Sequence, residues 1–246
     1  MEFDRPLVRA VFRRREKRFL IHAELPDGRA VIAHTNNTGR MSGCLAPGCA
    51  VWLSPADSPH RKLKWTLELV ETEADELTGQ SAGVMVGVNT ARANRLVAEA
   101  IGKGRVPGLG GYGDLKAEAV YPTGQSRADF LLTNHPEDPR PRCWLEVKNV
   151  TLVAHGHARF PDAPSERGRK HLLELAGAVQ GGDRAVLAFC IQREDALSVG
   201  PADDIDPGYG RLLREVAGQG VEILGLRCRV GPLGVEISTS IPLNMV

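Results

Sequence analysis

The sequence predicts two successive domains, a small β-barrel over residues 1–86 and a mixed α/β domain over residues 87–246. Three features of the chain point that way. Up to about Val88 it is built of short aliphatic and β-branched runs separated by turn residues. From Asn89 the pattern becomes helical and then alternates between helix and strand periods. The charge divides near the same place: residues 1–70 hold 12 Lys/Arg against 7 Asp/Glu, a net of +5, and the remainder carries −4, within a chain of net charge +1. At about 150 residues per domain, a chain of 246 residues accommodates one large domain or two ordinary ones, and the split favours two.

In the first domain LVRAVF, FLIHAEL, AVIAH, AVWLS, LKWTLELV and VMVGV read as strands. Pro26-Asp27-Gly28, Thr38-Gly39, Pro47-Gly48 and Ser58-Pro59 supply the turns between them. LKWTLELVE alternates apolar and polar residues, as a half-buried strand does. Five or six strands in about 80 residues, with no helix pattern among them, predict a small barrel of the OB type, a small β-sandwich being the alternative.

The second domain opens on TARANRLVAEAIGK, which sets Ala93, Leu96, Val97, Ala100 and Ile101 on one helical stripe. Asn89 or Thr90 is suited to cap it, and Gly102 and Gly104 stop it. The glycine-rich PGLGGYG that follows lacks Gly-Lys-Ser/Thr and comes after a helix, so it reads as a turn rather than a phosphate loop. Strands are expected at AEAVYP, SRADFLL and RCWLEVKNV, then a helix at HLLELAGAVQ with Ser165 near its start. A buried strand RAVLAFCIQ, a helix YGRLLREVAGQ and strands VEILGLRCRV and GVEISTSIPL complete an α/β order.

Composition narrows the function. With 42% hydrophobic residues the chain can bury a core. Its longest apolar runs, such as Ala185–Ile191, are far short of the ~20 residues a spanning helix needs. The opening MEFDRPLVRA mixes acids with bases and holds no apolar block, unlike a signal peptide. A cytoplasmic location and no membrane partner are therefore expected. Five scattered cysteines (Cys44, Cys49, Cys143, Cys190 and Cys228) without C-x-x-C spacing argue against a disulfide framework or a zinc knuckle.

The sharpest chemical signal is Glu146-Val147-Lys148. In a strand, residues two apart share a face, so a carboxylate and an ammonium project together while Leu145 and Val147 turn into apolar packing. Asp129 interrupts the apolar run ADFLL, and a carboxylate there must be paired or bind something. If the two strands are neighbours, Asp129 lies near Glu146. Glu118 on the preceding strand and Glu99 on the helix are further candidates. A D…E-x-K set on this order of elements is the pattern of the PD-(D/E)xK nuclease core. Two hard carboxylates would hold Mg²⁺ or Mn²⁺, and the lysine would orient water or neutralise developing charge. A purely structural Glu146–Lys148 ion pair is the alternative.

Over nearly its whole length the chain also resembles the bacterial and archaeal sugar fermentation stimulation proteins. The resemblance rests on KRFLIHAELPDG, HTNNTGRMSGC, PGCAVW, VGVNTARANRLVAEAI, SRADFLL, EVKNVTL, FPDAPSERGRKHLLEL and RAVLAFCIQR, in that order. It implies an amino-terminal OB-type domain joined to a PD-(D/E)xK domain, DNA binding without strong sequence preference, and a role in regulating sugar, particularly maltose, metabolism. Asp129, Glu146 and Lys148 would then form the nuclease-like centre, supported by Glu118 and Glu99.

Other residues suit a nucleic-acid interface. Arg13, Arg14, Arg15, Lys17 and Arg18 cluster between the first two strands, and Arg61, Lys62, Lys64 and Trp65 add charge and an aromatic ring. Trp65 reads as core on its alternation. NNTGRM offers Asn36, Asn37, Thr38 and Arg40. Arg167, Arg169, Lys170 and His171 open a helix whose dipole they oppose, which favours an anion at that end. Three functions follow: a Mg²⁺-dependent nuclease, a DNA-binding protein that does not cut, and a regulator of sugar metabolism without nucleic-acid chemistry. With 3 Trp and 3 Tyr the aromatic platforms of a sugar site are scarce, so DNA binding on a nuclease-like fold is the expectation.

Overall fold

Alternation of buried and exposed residues lays down the first sheet, seen in a computed structural model that describes residues 1–41, 43–56, 60–77 and 79–246. Strands β1 (Val8–Glu16), β2 (Leu20–Glu24), β3 (Ala30–His34), β4 (Ala50–Pro55) and β5 (Trp65–Glu71) pair in the order β3-β2-β1-β4-β5. The barrel closes where β3 meets β5 in parallel, Ala33 against Trp65 and His34 against Thr66. A short β6 (Met85–Gly87) extends the sheet from β5. Inside lie Ala10, Phe12, Ile21, Ala23, Val51, Leu53 and Leu67. This is the OB barrel, closed over five strands, and Trp65 packs against its core. The expected turn at Ser58-Pro59 lies outside the described residues. The basic run Arg13–Arg15 belongs to β1 itself rather than to the turn after it, where Lys17 and Arg18 take positive φ.

Helix α1 (Ala91–Gly102) buries the predicted stripe of Ala93, Leu96, Val97, Ala100 and Ile101. It covers one face of a six-stranded sheet. The strands are β7 (Asp114–Val120), β8 (Arg127–Thr133), β9 (Arg142–Val150), β12 (Arg184–Ile191), β14 (Glu222–Gly231) and β15 (Gly234–Ile241), in the order β15-β14-β12-β9-β8-β7. Between them in the chain come β10 (Leu152–Ala154), β11 (His157–Phe160), α2 (Glu166–Gln180), β13 (Ser198–Pro201) and α3 (Pro207–Gly218). Strand β12 runs parallel to both β9 and β14. All eight of its residues are buried, as a strand covered on both faces requires. Helices α2 and α3 cover the opposite face from α1.

Strands β10, β11 and β13 form a small third sheet that the sequence does not announce, because each is only three or four residues long. His157 is half-buried there and bonds Ser198 Oγ at 2.9 Å. All five cysteines are buried and free. No helix among the described residues is long and apolar enough to cross a membrane.

The domains meet through a buried polar network. Glu68 on β5, 3% exposed, accepts from Arg92 at 2.6 and 3.0 Å, from Asn89 at 2.9 Å and from Ser54 at 2.7 Å. A carboxylate desolvated this far must be fully bonded, and here two domains combine to do it. Arg193, wholly buried, adds a second tie: it donates to Thr151 O at 2.7 Å and to Gln80 Oε1 at 3.4 Å, and it forks onto Asp195.

Candidate functional site

Strand β9 divides its side chains between the two faces of the sheet. Leu145 and Val147 enter the core beneath α1, whereas Trp144 and Val150 enter the core beneath α2 and α3. Glu146 and Lys148 share the second face, as the period of two demands. Beside them the β8–β9 ladder stops at the pair Phe130–Leu145, and continuing its register sets Asp129 opposite Glu146. Asp129 Oδ2 accepts the Val147 N–H at 2.7 Å, a proton that an unbroken ladder would give to a β8 carbonyl. Its Oδ1 accepts from Asn94 on α1 at 2.7 Å.

Glu146 is 2% exposed. Its Oε1 accepts from Lys148 Nζ at 2.5 Å and lies in close contact with His171 Nδ1 on α2. Arg167 donates to His171 Nε2 at 3.3 Å, which leaves Nδ1 to donate to Glu146. The second oxygen, Glu146 Oε2, is buried and has no hydrogen-bond partner among the described residues. Two further buried hydroxyls without partners, those of Tyr121 and Tyr209, are raised in pKa by burial and by the nearby Glu146 carboxylate.

The two carboxyls respond in opposite ways. Burial, reinforced by the charge of Glu146, pushes the Asp129 carboxyl up. Burial also opposes ionisation of Glu146, but the bond from His171 and the charge of Lys148 outweigh it and hold that carboxyl below its usual range. The donor set fits a hard cation: an unpartnered buried carboxylate oxygen next to a second carboxylate that burial has made costly to charge. Among the described residues no group of three or more His, Cys, Asp and Glu side chains is placed to hold a metal ion. A cation here would rest on the two carboxylates and fill its other positions with water or phosphate oxygens, the usual manner for Mg²⁺.

The other expected site residues separate. Glu99 does not reach the centre. It lies five residues beyond Asn94, roughly 140° further round the helix, where it pairs with the Met1 ammonium at 3.2 Å and with Lys103. Asn94 takes the place on α1 that Glu99 was expected to fill. Glu118 sits across from Asp129, in the gap between the pairs Ala117–Phe130 and Ala119–Ala128, but it is exposed and has a left-handed φ of 53°. Asn94 and His171 are the side chains at the candidate centre that motif reading missed. An amide on a helix's polar side carries no spacing signal, and His171 reads as one more base in a basic run.

A cleft of about 360 Å³ opens beside the centre, walled by Asn36, Asn37, Thr38 and Gly39 of the barrel and by Asn94, Lys148 and Arg167 of the second domain. Arg40 is exposed next to that wall and forms no ion pair among the described residues. Arg15, by contrast, is structural: its guanidinium donates to the carbonyls of Arg18, Asn37, Gly39 and Arg40 and so shapes the loop. Arg14 pairs with Glu16 at 2.8 Å, and Lys17 is exposed in the β1–β2 turn. Lys62 and Lys64 are exposed, and Arg61 donates to Thr66 Oγ1 at 3.1 Å. The bases at the start of α2 are satisfied internally, which removes the dipole argument for an anion there. Arg169 pairs with Asp206 at 2.6 Å, Lys170 donates to Gln125 O at 3.2 Å and Arg167 to His171.

Comparison with known proteins agrees with this architecture. A family model described as the SfsA N-terminal OB domain matches residues 14–87, and one described as the sugar fermentation stimulation protein RE domain matches residues 91–234. A sugar fermentation stimulation protein homolog of Paramagnetospirillum magneticum is 44% identical, covering 100% of this chain and 98% of its own. The homolog of Thioalkalivibrio sulfidiphilus is 47% identical with the same coverage. The structure of Pyrococcus furiosus SfsA in complex with Ca²⁺ matches with a TM-score of 0.85 at 26% identity, covering 99% of this chain and 98% of that one. With both domains matched in order and relatives aligned from end to end, the chain belongs to the sugar fermentation stimulation protein family.

Proposed function

We propose that this protein binds DNA and that its second domain carries a phosphodiester-hydrolysing centre dependent on Mg²⁺ or Mn²⁺. The observation that carries the reading is Glu146 Oε2, a buried and unpartnered carboxylate oxygen beside Asp129. The Ca²⁺ bound in the Pyrococcus furiosus relative supports a divalent site on this fold.

Asp129 and Glu146 would hold the cation, which supplies Lewis acidity toward a phosphate oxygen and lowers the pKa of bound water. Asn94 and the Val147 N–H fix the Asp129 carboxylate, and His171 fixes Glu146 through Oε1, leaving Oε2 free. Lys148 Nζ, half-buried beside the cleft and bonded to Glu146, would donate to a phosphate oxygen or orient water. Regulation of sugar, particularly maltose, metabolism would run through occupancy of DNA, and non-specific contacts to phosphates would supply most of the affinity.

Calorimetric titration with Mn²⁺ or Mg²⁺ tests the centre. Binding by the parent protein that both Asp129→Ala and Glu146→Ala abolish is the expected result. Absence of binding by the parent, with and without DNA, would overturn the hydrolytic reading.

A further inference from the structure

The cleft beside the centre does not end at the barrel wall. A second cleft of about 650 Å³ lies on the barrel side, lined by His34, Arg61, Lys62, Thr66, Asn89 and Arg92. Asn36 borders both. Along the start of α1 their walls interleave: Thr90, Ala93 and Asn94 face the first cleft, and Asn89, Ala91 and Arg92 face the second. The two hollows therefore adjoin at Asn36 and outline a bent track from the barrel surface to Lys148.

The lining has the chemistry of a phosphate backbone site. In the first cleft Lys148, Arg159 and Arg167 stand against Asp162, although Lys148 pairs with Glu146 and Arg159 with Asp204. In the second, Arg92 and Glu68 cancel as a pair, and Arg61 and Lys62 outnumber Asp4. The barrel end of the track also leads onto the sheet face that OB folds use for oligonucleotides. On β3, Ile32 lies two residues from His34 on the same face and is 38% exposed, and Phe19 in the β1–β2 turn is 43% exposed. Apolar and aromatic side chains beside a basic groove are what successive unpaired bases stack on.

Size decides between strand forms. At about 360 Å³ the first hollow is of small-ligand size, room for a nucleotide but not for both strands of a duplex.

We propose that the substrate form is single-stranded nucleic acid, or a single-stranded tail, threaded from Arg61 and Lys62 on the barrel past Asn36 to the centre at Asp129, Glu146 and Lys148. The destination of the strand rests on the hydrolytic reading above; the track itself does not.

Fluorescence anisotropy with a labelled oligothymidine and with a duplex of equal length, both in Ca²⁺, tests it. The oligothymidine binds about tenfold or more tightly than the duplex, and Arg61→Ala/Lys62→Ala lowers its affinity about tenfold. Lys62→Glu, on an exposed side chain, gives the same direction with an unchanged thermal midpoint. Equal binding of both forms, unmoved by these substitutions, overturns the track and leaves the hydrolytic reading standing. Failure to bind any nucleic acid overturns it as well. Loss of divalent binding alone removes the hydrolytic reading and leaves the track.

Discussion

Asn36, a barrel residue, caps the helix of the other domain: its Oδ1 accepts the Thr90 N–H at 3.1 Å and its Nδ2 donates to Asn89 Oδ1 at 2.7 Å. Asn89 Oδ1 in turn accepts the Ala91 N–H at 3.2 Å. The first turn of α1, whose N–H groups have no partners within the helix, is therefore completed across the domain boundary. One turn further on, Asn94 holds Asp129. The barrel loop is thus linked to the Asp129 carboxylate through Asn36, the first turn of α1 and Asn94.

Asn36→Ala is expected to cost about 1 kcal/mol of stability, the usual worth of a helix cap, and to weaken divalent binding although Asn36 touches neither carboxylate. Thermal unfolding and calorimetry measure the two effects. A stability loss with unchanged cation affinity would show that the cap does not position Asp129.

Glu68→Ala leaves the Arg92 guanidinium buried without its counter-charge. A loss of about 3–5 kcal/mol is expected in urea unfolding. Replacing both partners, Glu68→Ala with Arg92→Met, recovers part of that loss, because an apolar pair leaves no buried charge uncompensated. Equal losses in the single and double variants contradict this account.

The pH dependence of stability follows from the two carboxyls. Asp129, raised by burial and by Glu146, holds its proton more tightly when folded. Stability from this group therefore falls as pH rises from the ordinary Asp value of about 3.9 through the raised folded value, and it stays lower above that. Glu146, held low by His171 and Lys148 against the cost of burial, has the opposite sign. Its contribution is present above the ordinary Glu value of about 4.3 and is lost as pH falls through the folded value.

Asp129→Asn accordingly raises the thermal midpoint in cation-free buffer at neutral pH by about 2–4 °C, while removing divalent binding. Its amide oxygen can still accept from Val147 N. A lowered midpoint in a variant that remains folded would show that Asp129 is stabilising as a carboxylate.

Affinity for DNA is expected to fall steeply with salt, since a chain of net charge +1 binds phosphates only through local clusters. Arg40→Ala, at an exposed position beside the cleft, flattens the log–log slope by about 0.7 to 0.9. A slope near zero in the parent protein removes phosphate contact from the account.

The barrel, the α/β order, the buried stripe of α1 and the D…E-x-K pattern on β8 and β9 are legible in the chain before it folds. They depend on local period and on residue type. Which groups meet depends on packing. Glu99 and Asn94 lie on one helix five residues apart, and it is the packing of α1 on the sheet that turns Asn94 toward Asp129 and Glu99 toward Met1. His171 reaches Glu146 because α2 crosses the opposite face, and Asn36 reaches α1 across a domain boundary. The strands β10, β11 and β13 form only because they are held to one another. Such contacts join residues 25 to 54 positions apart by hydrogen bonds that carry no sequence period, so periodicity shows that a polar residue is present but not which partner it finds.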